Sequence, residues 1–344
     1  MNGPRIAVLG SGANGASIGA DLIAAGHDVT FVEQWPAHVE AMRADGLRIL
    51  SVDGELHVHP RALHLCEVAE LRQEFDVVLV LMKAYDTRWA AHLLEPVLAP
   101  RGLMVGVQNG MTAETVASVV GPKRTVGCVI ECSATMEEPG VVHRHTPPSR
   151  SWFALGALPG GPAERIGEVE SLLEHSGTVE RFDDILSAKW MKLVSNATLL
   201  VTSAVLGLPM LDAFRTPGFR DVMITAGEEA LAVGEAEGYA VLPIFGLTHE
   251  EIADRRTVVA TMTDKLFGGF VVPGATTTVL QDWRKGRRSE AADLNGAVVE
   301  RGRARSIPTP VNEATLALAR AIERGELEPD VTLLSRLIAP LRQR

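Results

Sequence analysis

The hydrophobic pattern of the first half alternates between two periods. RIAVLG (residues 5–10) is a continuous apolar run that breaks into glycines, which predicts a short buried strand. GASIGADLIAAG (15–26) repeats its apolar positions at helical spacing and stops at Gly26, a predicted C-cap. DVTFVE (28–33) is rich in β-branched residues and reads as a second strand. DVVLVLMK (76–83) and LMVGVQNG (103–110) are two more apolar runs, each ending in polar residues. Between them DTRWAAHLLEPVLAPRG (86–102) reads as one amphipathic helix closed by Pro100 and Gly102. This rhythm predicts an α/β domain: a parallel sheet with crossover helices, binding its ligand beyond the carboxyl ends of the strands. Gly10, Glu33, Lys83 and Asn109 all follow strands, so all four are expected along one edge.

Further on, TVGCVIECSATM (125–136), GVVHRH (140–145) and SWFALGAL (151–158) read as strands around a turn at Pro139 and Gly140. GGPAERIGEVESLLEHSG (160–177) reads as a helix and TVERFDD (178–184) as a last strand. The pattern then changes. SAKWMKLVSNATLLVTSAVLG, FRDVMITAGEEALAVGEAEG, SEAADLNGAVVERGRARS and PVNEATLALARAIERGE are long and helical. The boundary is placed after Asp184, giving a sheet domain over 1–184 and an all-helical domain over 185–344. No fixed-period repeat or low-complexity tract interrupts either.

Length and charge narrow the function classes. A chain of 344 residues is ample for two domains. Its formal net charge of −10 argues against nucleic acid or anionic lipid as a partner. DVVLVLM (76–82), the most apolar stretch, is far below the roughly 20 residues a membrane helix needs, so a cytoplasmic location is expected. Cys66, Cys128 and Cys132 give two closely spaced ligands at most, so no metal site is expected and all three read as buried free thiols. The apolar stretch ATLLVTSAVLGLPML (197–211) is a candidate surface for a second copy, a homodimer.

The glycine loop carries the first candidate chemistry. Gly10, Ser11, Gly12, Ala13, Asn14 and Gly15 form G-x-G-x-x-G between a strand and a helix, the context that binds a dinucleotide. Gly10 permits the turn, Gly12 lets backbone approach a pyrophosphate, and Gly15 lets the helix pack close. The helix N-terminus offers N–H groups to the phosphates. Glu33 ends the second strand, where an acid accepts the adenosine ribose hydroxyls. A 2′-phosphate there would face this carboxylate, and no Lys or Arg follows before Arg43, so NAD(H) is favoured and NADP(H) is the alternative.

Three more segments stand out. Lys83 in MKAYDT and Asn109 in QNGM follow strands, although Asn109–Gly110 also reads as an ordinary turn. Lys192 and Asn196 are four apart and share a helix face. Lys189, one turn earlier, reads as a solvated surface lysine. TTTVLQDWRKGRRSEAADLNG carries Thr278 and Glu290 and reads as a loop entering a helix.

Together LGSGANG, LMKAYDT, VQNGM, KWMKLVSN and LQDWRKGRRSEAADLNG resemble the ketopantoate reductase (2-dehydropantoate 2-reductase) family over almost the whole chain. The resemblance implies a Rossmann-type first domain and a helical second one. It implies an NAD(P)-dependent oxidoreductase that interconverts a 2-keto acid and its hydroxy form, with 2-dehydropantoate as default substrate. By resemblance Lys192 is the general acid/base and Glu290 holds substrate and lysine. Asn196 binds substrate, Asn109 lies near nicotinamide and substrate, and Lys83 lies on the cofactor side. Thr278 replaces a serine that meets the substrate carboxylate. Leu200 stands where the family has a second asparagine, Ala291 and Ala292 replace Ile-Asp, and Glu33 stands where a basic residue is usual. These departures favour, as the alternative, an NAD-dependent dehydrogenase of a bulkier or more apolar hydroxy acid. A dinucleotide-sensing protein without catalysis is the reading from a different class. Turnover with 2-dehydropantoate separates them.

Overall fold

The structure, a computed structural model, describes residues 3–269 and 271–343. The chain divides into two compact units, Met1–Leu186 and Ser187–Arg344. In chain order the first runs β1 (Arg5–Leu9), α1 (Ala13–Ala24), β2 (Asp28–Glu33), α2 (Pro36–Ala44), β3 (Leu47–Ser51), β4 (Gly54–Val58) and β5 (Arg61–His64). It continues through β6 (Phe75–Val80), α3 (Thr87–Leu94), β7 (Leu98–Val107), α4 (Thr112–Val120), β8 (Thr125–Glu131) and β9 (Ala134–Glu138). It ends with β10 (Val141–Arg144), β11 (Trp152–Ala157), α5 (Ile166–Leu173) and β12 (Thr178–Arg181).

Eight strands form the main sheet in the order β12-β11-β8-β7-β6-β1-β2-β5. All neighbours are parallel except β8 and β11. The central strands are apolar throughout because both faces are covered. Ile6 and Val8 pack on one side with Ile18, Leu22 and Phe31. Ala7 and Leu9 pack on the other with Val78, Val80, Ala90, Leu94 and Val116. Alternation along one strand thus feeds two cores. The parallel sheet with crossover helices is as expected. The carboxyl ends of β1, β2, β6 and β7 lie side by side, which brings Gly10, Glu33, Lys83 and Asn109 to one edge.

Local expectations are corrected at several points. The helix read over 86–102 ends at Leu94, because Pro96 opens a 3-10 turn and Leu98 already belongs to β7. The single strand over 125–136 is two, β8 and β9, which belong to different sheets. Residues 36–64, left unassigned by the pattern, form α2, β3, β4 and β5. The second sheet, β4-β3-β10-β9, is tied to α1 through Arg144. Its buried guanidinium donates to Asp21 at 2.5 Å and to the Ser176 carbonyl at 2.7 Å. Of the three free cysteines only Cys128 is buried; Cys66 is exposed at a 3-10 turn, against expectation.

The second unit runs α6 (Ile185–Val205, whose first two residues lie in the first unit), α7 (Met210–Arg215), α8 (Phe219–Glu237), α9 (His249–Ala253) and α10 (Val258–Gly269). It ends with α11 (Thr278–Arg284), α12 (Asn295–Arg305), α13 (Pro310–Glu323) and α14 (Leu334–Ile338). No strand occurs among its described residues. Ala197, Val201, Ala204 and Val205 are buried inside this unit, so this part of the apolar stretch at 197–211 serves its core, while Leu208, Met210 and Leu211 are half-buried. A buried polar network crosses the helices. Asn295 Nδ2 donates to the Ala197 carbonyl at 3.0 Å and to Asn312 Oδ1 at 2.8 Å. The N–H groups of Val311 and Asn312, which no helical carbonyl can pair, donate to Glu229 at 3.1 and 3.0 Å. No helix among the described residues is long and apolar enough to cross a membrane.

Candidate active site

The loop between β1 and α1 has the shape its glycines demand. Gly10 has φ +91°, and its N–H donates to the Val32 carbonyl at 2.9 Å. A Cβ on Gly15 would stand 2.0 Å from the Gly10 carbonyl oxygen, so only glycine lets α1 start this close to the strand. A Cβ on Gly12 would meet nothing within 4 Å, so that face is open. The first turn of α1 follows at Ala13, where backbone N–H groups lack helical acceptors. The amide oxygen of Asn14 is buried without a partner. An open backbone face, N–H groups without helical acceptors and an orphaned polar atom fit a dinucleotide's phosphates and polar rim.

Ser11 and Glu33 sit otherwise than expected. Glu33 is buried, and both its oxygens are engaged by the chain itself. Oε2 accepts from Ser11 N–H at 2.7 Å and from the Ser11 hydroxyl at 3.0 Å. Oε1 accepts from the N–H groups of Gln34 and Trp35, each at 2.8 Å. A carboxylate has about four acceptor positions, and these donors fill them. Ser11 is fully buried with both its donors spent on Glu33. The cofactor-contact role read for Ser11 is therefore corrected: it anchors the loop rather than facing a ligand. Glu33 holds the loop to β2 instead of standing as a bare acid at a strand end.

His38, on α2, completes the clamp. The Gly140 N–H donates to its Nδ1 at 2.9 Å, which leaves the ring proton on Nε2, and Nε2–H donates to the Ser11 carbonyl at 2.9 Å. Burial pushes the His38 imidazole below the ordinary histidine range; the Glu33 charge and the Ser11 hydrogen bond pull the other way.

At the ends of β6 and β7, Lys83 and Asn109 are both half-buried. Asn109 precedes Gly110, which has φ +72°, so the dipeptide forms the turn expected of an Asn-Gly pair. Between them lies a residue the sequence pattern did not flag. Gln108 Nε2 donates to the Met82 carbonyl at 2.6 Å and to Thr87 Oγ1 at 3.0 Å. The Thr87 hydroxyl in turn donates to the Ala84 carbonyl at 2.7 Å. Gln108 thereby ties the Lys83 segment to β7.

In the second unit, Lys192, Asn196 and Leu200 follow one another at four-residue spacing on α6. Lys192 and Leu200 are half-buried and Asn196 is buried. Lys189, read as a solvated lysine, is only 2% exposed, because α6 is enclosed on nearly all sides. Leu200 packs against the buried apolar cluster that includes Val201, Val279 and Leu280. Thr278 opens α11 and is exposed, while its neighbour Thr277 is the buried cap, accepting from Leu280 N–H at 3.2 Å. Glu290 is 5% exposed. It lies in tight turns before α12 rather than inside a helix, its carbonyl accepting from the Asp293 and Leu294 N–H groups at 2.9 and 3.0 Å. Ala291 fills an apolar position beside it at 1% exposure.

Neither His38 nor Gln108 carries a local pattern that marks it; each is found only through its partners in the fold.

Comparison with known proteins agrees with this architecture. The family described as Ketopantoate reductase PanE/ApbA matches residues 6–159, and its C-terminal counterpart matches residues 184–323. A 2-dehydropantoate 2-reductase of Mesorhizobium japonicum is 30% identical over 345 positions, covering 93% of this chain and 99% of that protein. A PanE/ApbA family ketopantoate reductase from Ralstonia eutropha JMP134 superimposes with a TM-score of 0.80 at 29% identity, over 94% of this chain and 99% of that one. A D-mandelate dehydrogenase solved with NADH and anilino(oxo)acetate shares the fold at a TM-score of 0.82 and 20% identity, over 93% of this chain and 99% of that one. The chain belongs to the ketopantoate reductase family of oxidoreductases.

Proposed function

We propose that this protein reduces a 2-keto acid to its 2-hydroxy acid with a nicotinamide dinucleotide, 2-dehydropantoate being the default substrate. The observation that carries the reading is the row of Lys192 and Asn196 on one face of α6, in a unit that also carries Glu290 and Thr278. A bound nicotinamide dinucleotide supplies the hydride in reduction and takes it up in oxidation. Lys192 gives a proton from Nζ to the ketone oxygen as the carbonyl carbon is reduced, and takes that proton back in oxidation. Its positive charge also stabilises the developing alkoxide. Asn196 and Thr278 orient the substrate's polar groups, and Glu290 holds substrate and lysine. Gly10, Gly12, Ala13, Asn14 and Gly15 hold the pyrophosphate, with Lys83 and Asn109 toward the nicotinamide end. The unit 1–184 acts as the cofactor domain and 185–344 as the substrate domain.

NAD(H) is the preferred cofactor in this reading. Its support is the negative charge of Glu33 at the end of β2. At 4 Å and an effective dielectric of 20, two unit charges repel by about 4 kcal/mol. Leu200 supports a second reading, NAD-dependent oxidation of a bulkier, more apolar 2-hydroxy acid, because it puts an alkyl group on the row of Lys192 and Asn196.

Steady-state rates for a panel of 2-keto and 2-hydroxy acids with NADH, NADPH, NAD and NADP test both readings. Faster turnover of 2-dehydropantoate with NADH than with NADPH is expected. A reversed ratio removes the NAD preference. Dinucleotide binding without turnover of any acid in the panel overturns the catalytic reading and leaves a sensor.

A further inference from the structure

Phe245 has φ +56°, where bulky side chains are outliers, and the following Gly246 has φ +72°. The Leu247 N–H donates to the Ile244 carbonyl at 3.1 Å and closes the turn. Two successive positive φ values mark a type I′ turn, whose first central position ordinarily takes Asn, Asp or Gly. Nothing in the local backbone favours phenylalanine there. The turn is nevertheless held firmly. Lys265 Nζ donates to the Gly246 carbonyl at 2.6 Å and pairs with Glu251 at 2.9 Å, and Thr248 caps α9 immediately after it. Strain kept in place by its surroundings points to a role for the side chain it presents.

The ring explains the choice. The Lys192 ammonium stands over the Phe245 ring, 4.8 Å from its centroid, within the range of a cation–π contact. Phe245 is only 8% exposed, so the contact is partly shielded from water. We propose that Phe245 is a positioning residue for Lys192: the negative face of its ring holds the ammonium in place. Asparagine or glycine would relieve the backbone but offer no such face. The inference rests on the reading of Lys192 as proton donor. In reduction the charged amine is the form that gives the proton, so the ring steadies the donor.

The test compares Phe245→Leu and Phe245→Met, which keep apolar bulk and the same backbone demand, with Phe245→Tyr, which keeps the ring. Two readouts are taken on the full chain. The first is the rate of Lys192 acylation by acetic anhydride at one fixed pH, followed by mass spectrometry of the Lys192 peptide. The second is kcat and KM for reduction, read separately. In whichever aliphatic variant folds, by circular dichroism, Lys192 is expected to be acylated roughly two- to fivefold faster, because the ring no longer holds the amine. The kcat is expected to fall by a similar factor with KM little changed, and Phe245→Tyr to restore both. An acylation rate unmoved by loss of the ring, or not restored by tyrosine, overturns the proposal. Faster acylation with an unchanged kcat supports the ring–ammonium contact and instead removes Lys192 as the proton donor.

Discussion

The Glu33 carboxylate accepts both the backbone N–H and the hydroxyl of Ser11, at 2.7 and 3.0 Å. One acid thus fixes the glycine loop against the strand beside it. Its charge and its hydrogen bonds do separate work and can be separated by substitution. Glu33→Gln removes the charge and replaces two acceptor positions with donors. Both cofactors should bind more weakly, because Ser11, Gln34 and Trp35 lose charge-assisted bonds worth about 1.5–3 kcal/mol each. The NADPH/NADH ratio of kcat/KM should nevertheless rise, because a repulsion of the 2′-phosphate is gone. A ratio that stays flat while both affinities fall would confine Glu33 to holding the loop.

His38 gives that clamp a pH dependence. Its folded-state value lies below the ordinary histidine value of about 6.5, because burial disfavours the charged ring. Below about 6.5 the unfolded chain therefore binds more protons than the folded one. The stability that His38 contributes is full above that pH and is lost as pH falls through the lower folded value. Protonation would also point a second N–H at the Gly140 donor. Urea midpoints at about pH 7.5 and pH 5.5 should fall further in the wild type than in His38→Gln, whose amide keeps one donor and one acceptor without titrating. Equal falls would place the loss in other groups.

The sequence displays the parts of this protein that repeat or bury. β1, β2, β6 and β7 are legible because strands covered on both faces must be apolar throughout. The glycine loop is legible because Gly10 and Gly15 meet steric demands that no other residue satisfies. The segment 36–64 is not legible, because β4 is largely exposed and carries no apolar run. The helix read across Glu290 overreached, since Ala291 and Leu294 continue the apolar count through what is a pair of turns. His38 and Gln108 were out of reach for another reason. Their partners, Ser11 with Gly140 and Met82 with Thr87, lie 20 or more residues away, and single-chain periodicity carries nothing across that distance. Lys189 looked like a surface lysine because polarity, not enclosure, is what the letter shows.

Gln108 is expected to govern the Lys83 segment. Gln108→Leu removes the donor that the buried Met82 carbonyl uses, which should lower stability by about 1–3 kcal/mol. Gln108→Glu should do worse at neutral pH, because it turns a carboxylate oxygen toward that carbonyl. Thermal melting ranks the variants, and the KM for the dinucleotide should rise in both. Melting like the wild type in both variants would show that the contact contributes nothing.

Lys192→Ala should lower turnover by roughly 10²- to 10⁴-fold, the usual worth of one general acid, while the Kd for the dinucleotide changes little. Lys192→Arg keeps a cation over Phe245 but holds its proton too firmly to give it up, so it should recover binding of the acid and not the rate. Turnover near wild type in Lys192→Ala would take the lysine out of the chemistry.

Leu200 bears on which acid is turned over. It follows Asn196 by one turn of α6 and packs half-buried against the apolar cluster that includes Val201, Val279 and Leu280. A hydroxylated acid such as pantoate gains nothing from an alkyl group there, whereas a larger apolar side chain does. Leu200→Asn should therefore raise the ratio of kcat/KM for 2-dehydropantoate over a bulkier 2-keto acid by roughly five- to tenfold, the worth of one net hydrogen bond. It should also lower stability, because part of an apolar contact is replaced by an amide. The two effects are read independently, by a competition assay and by thermal melting. A lowered melting temperature with an unchanged substrate ratio would mean that Leu200 belongs to the core alone, and that the preference for one acid over another is set elsewhere on the helix.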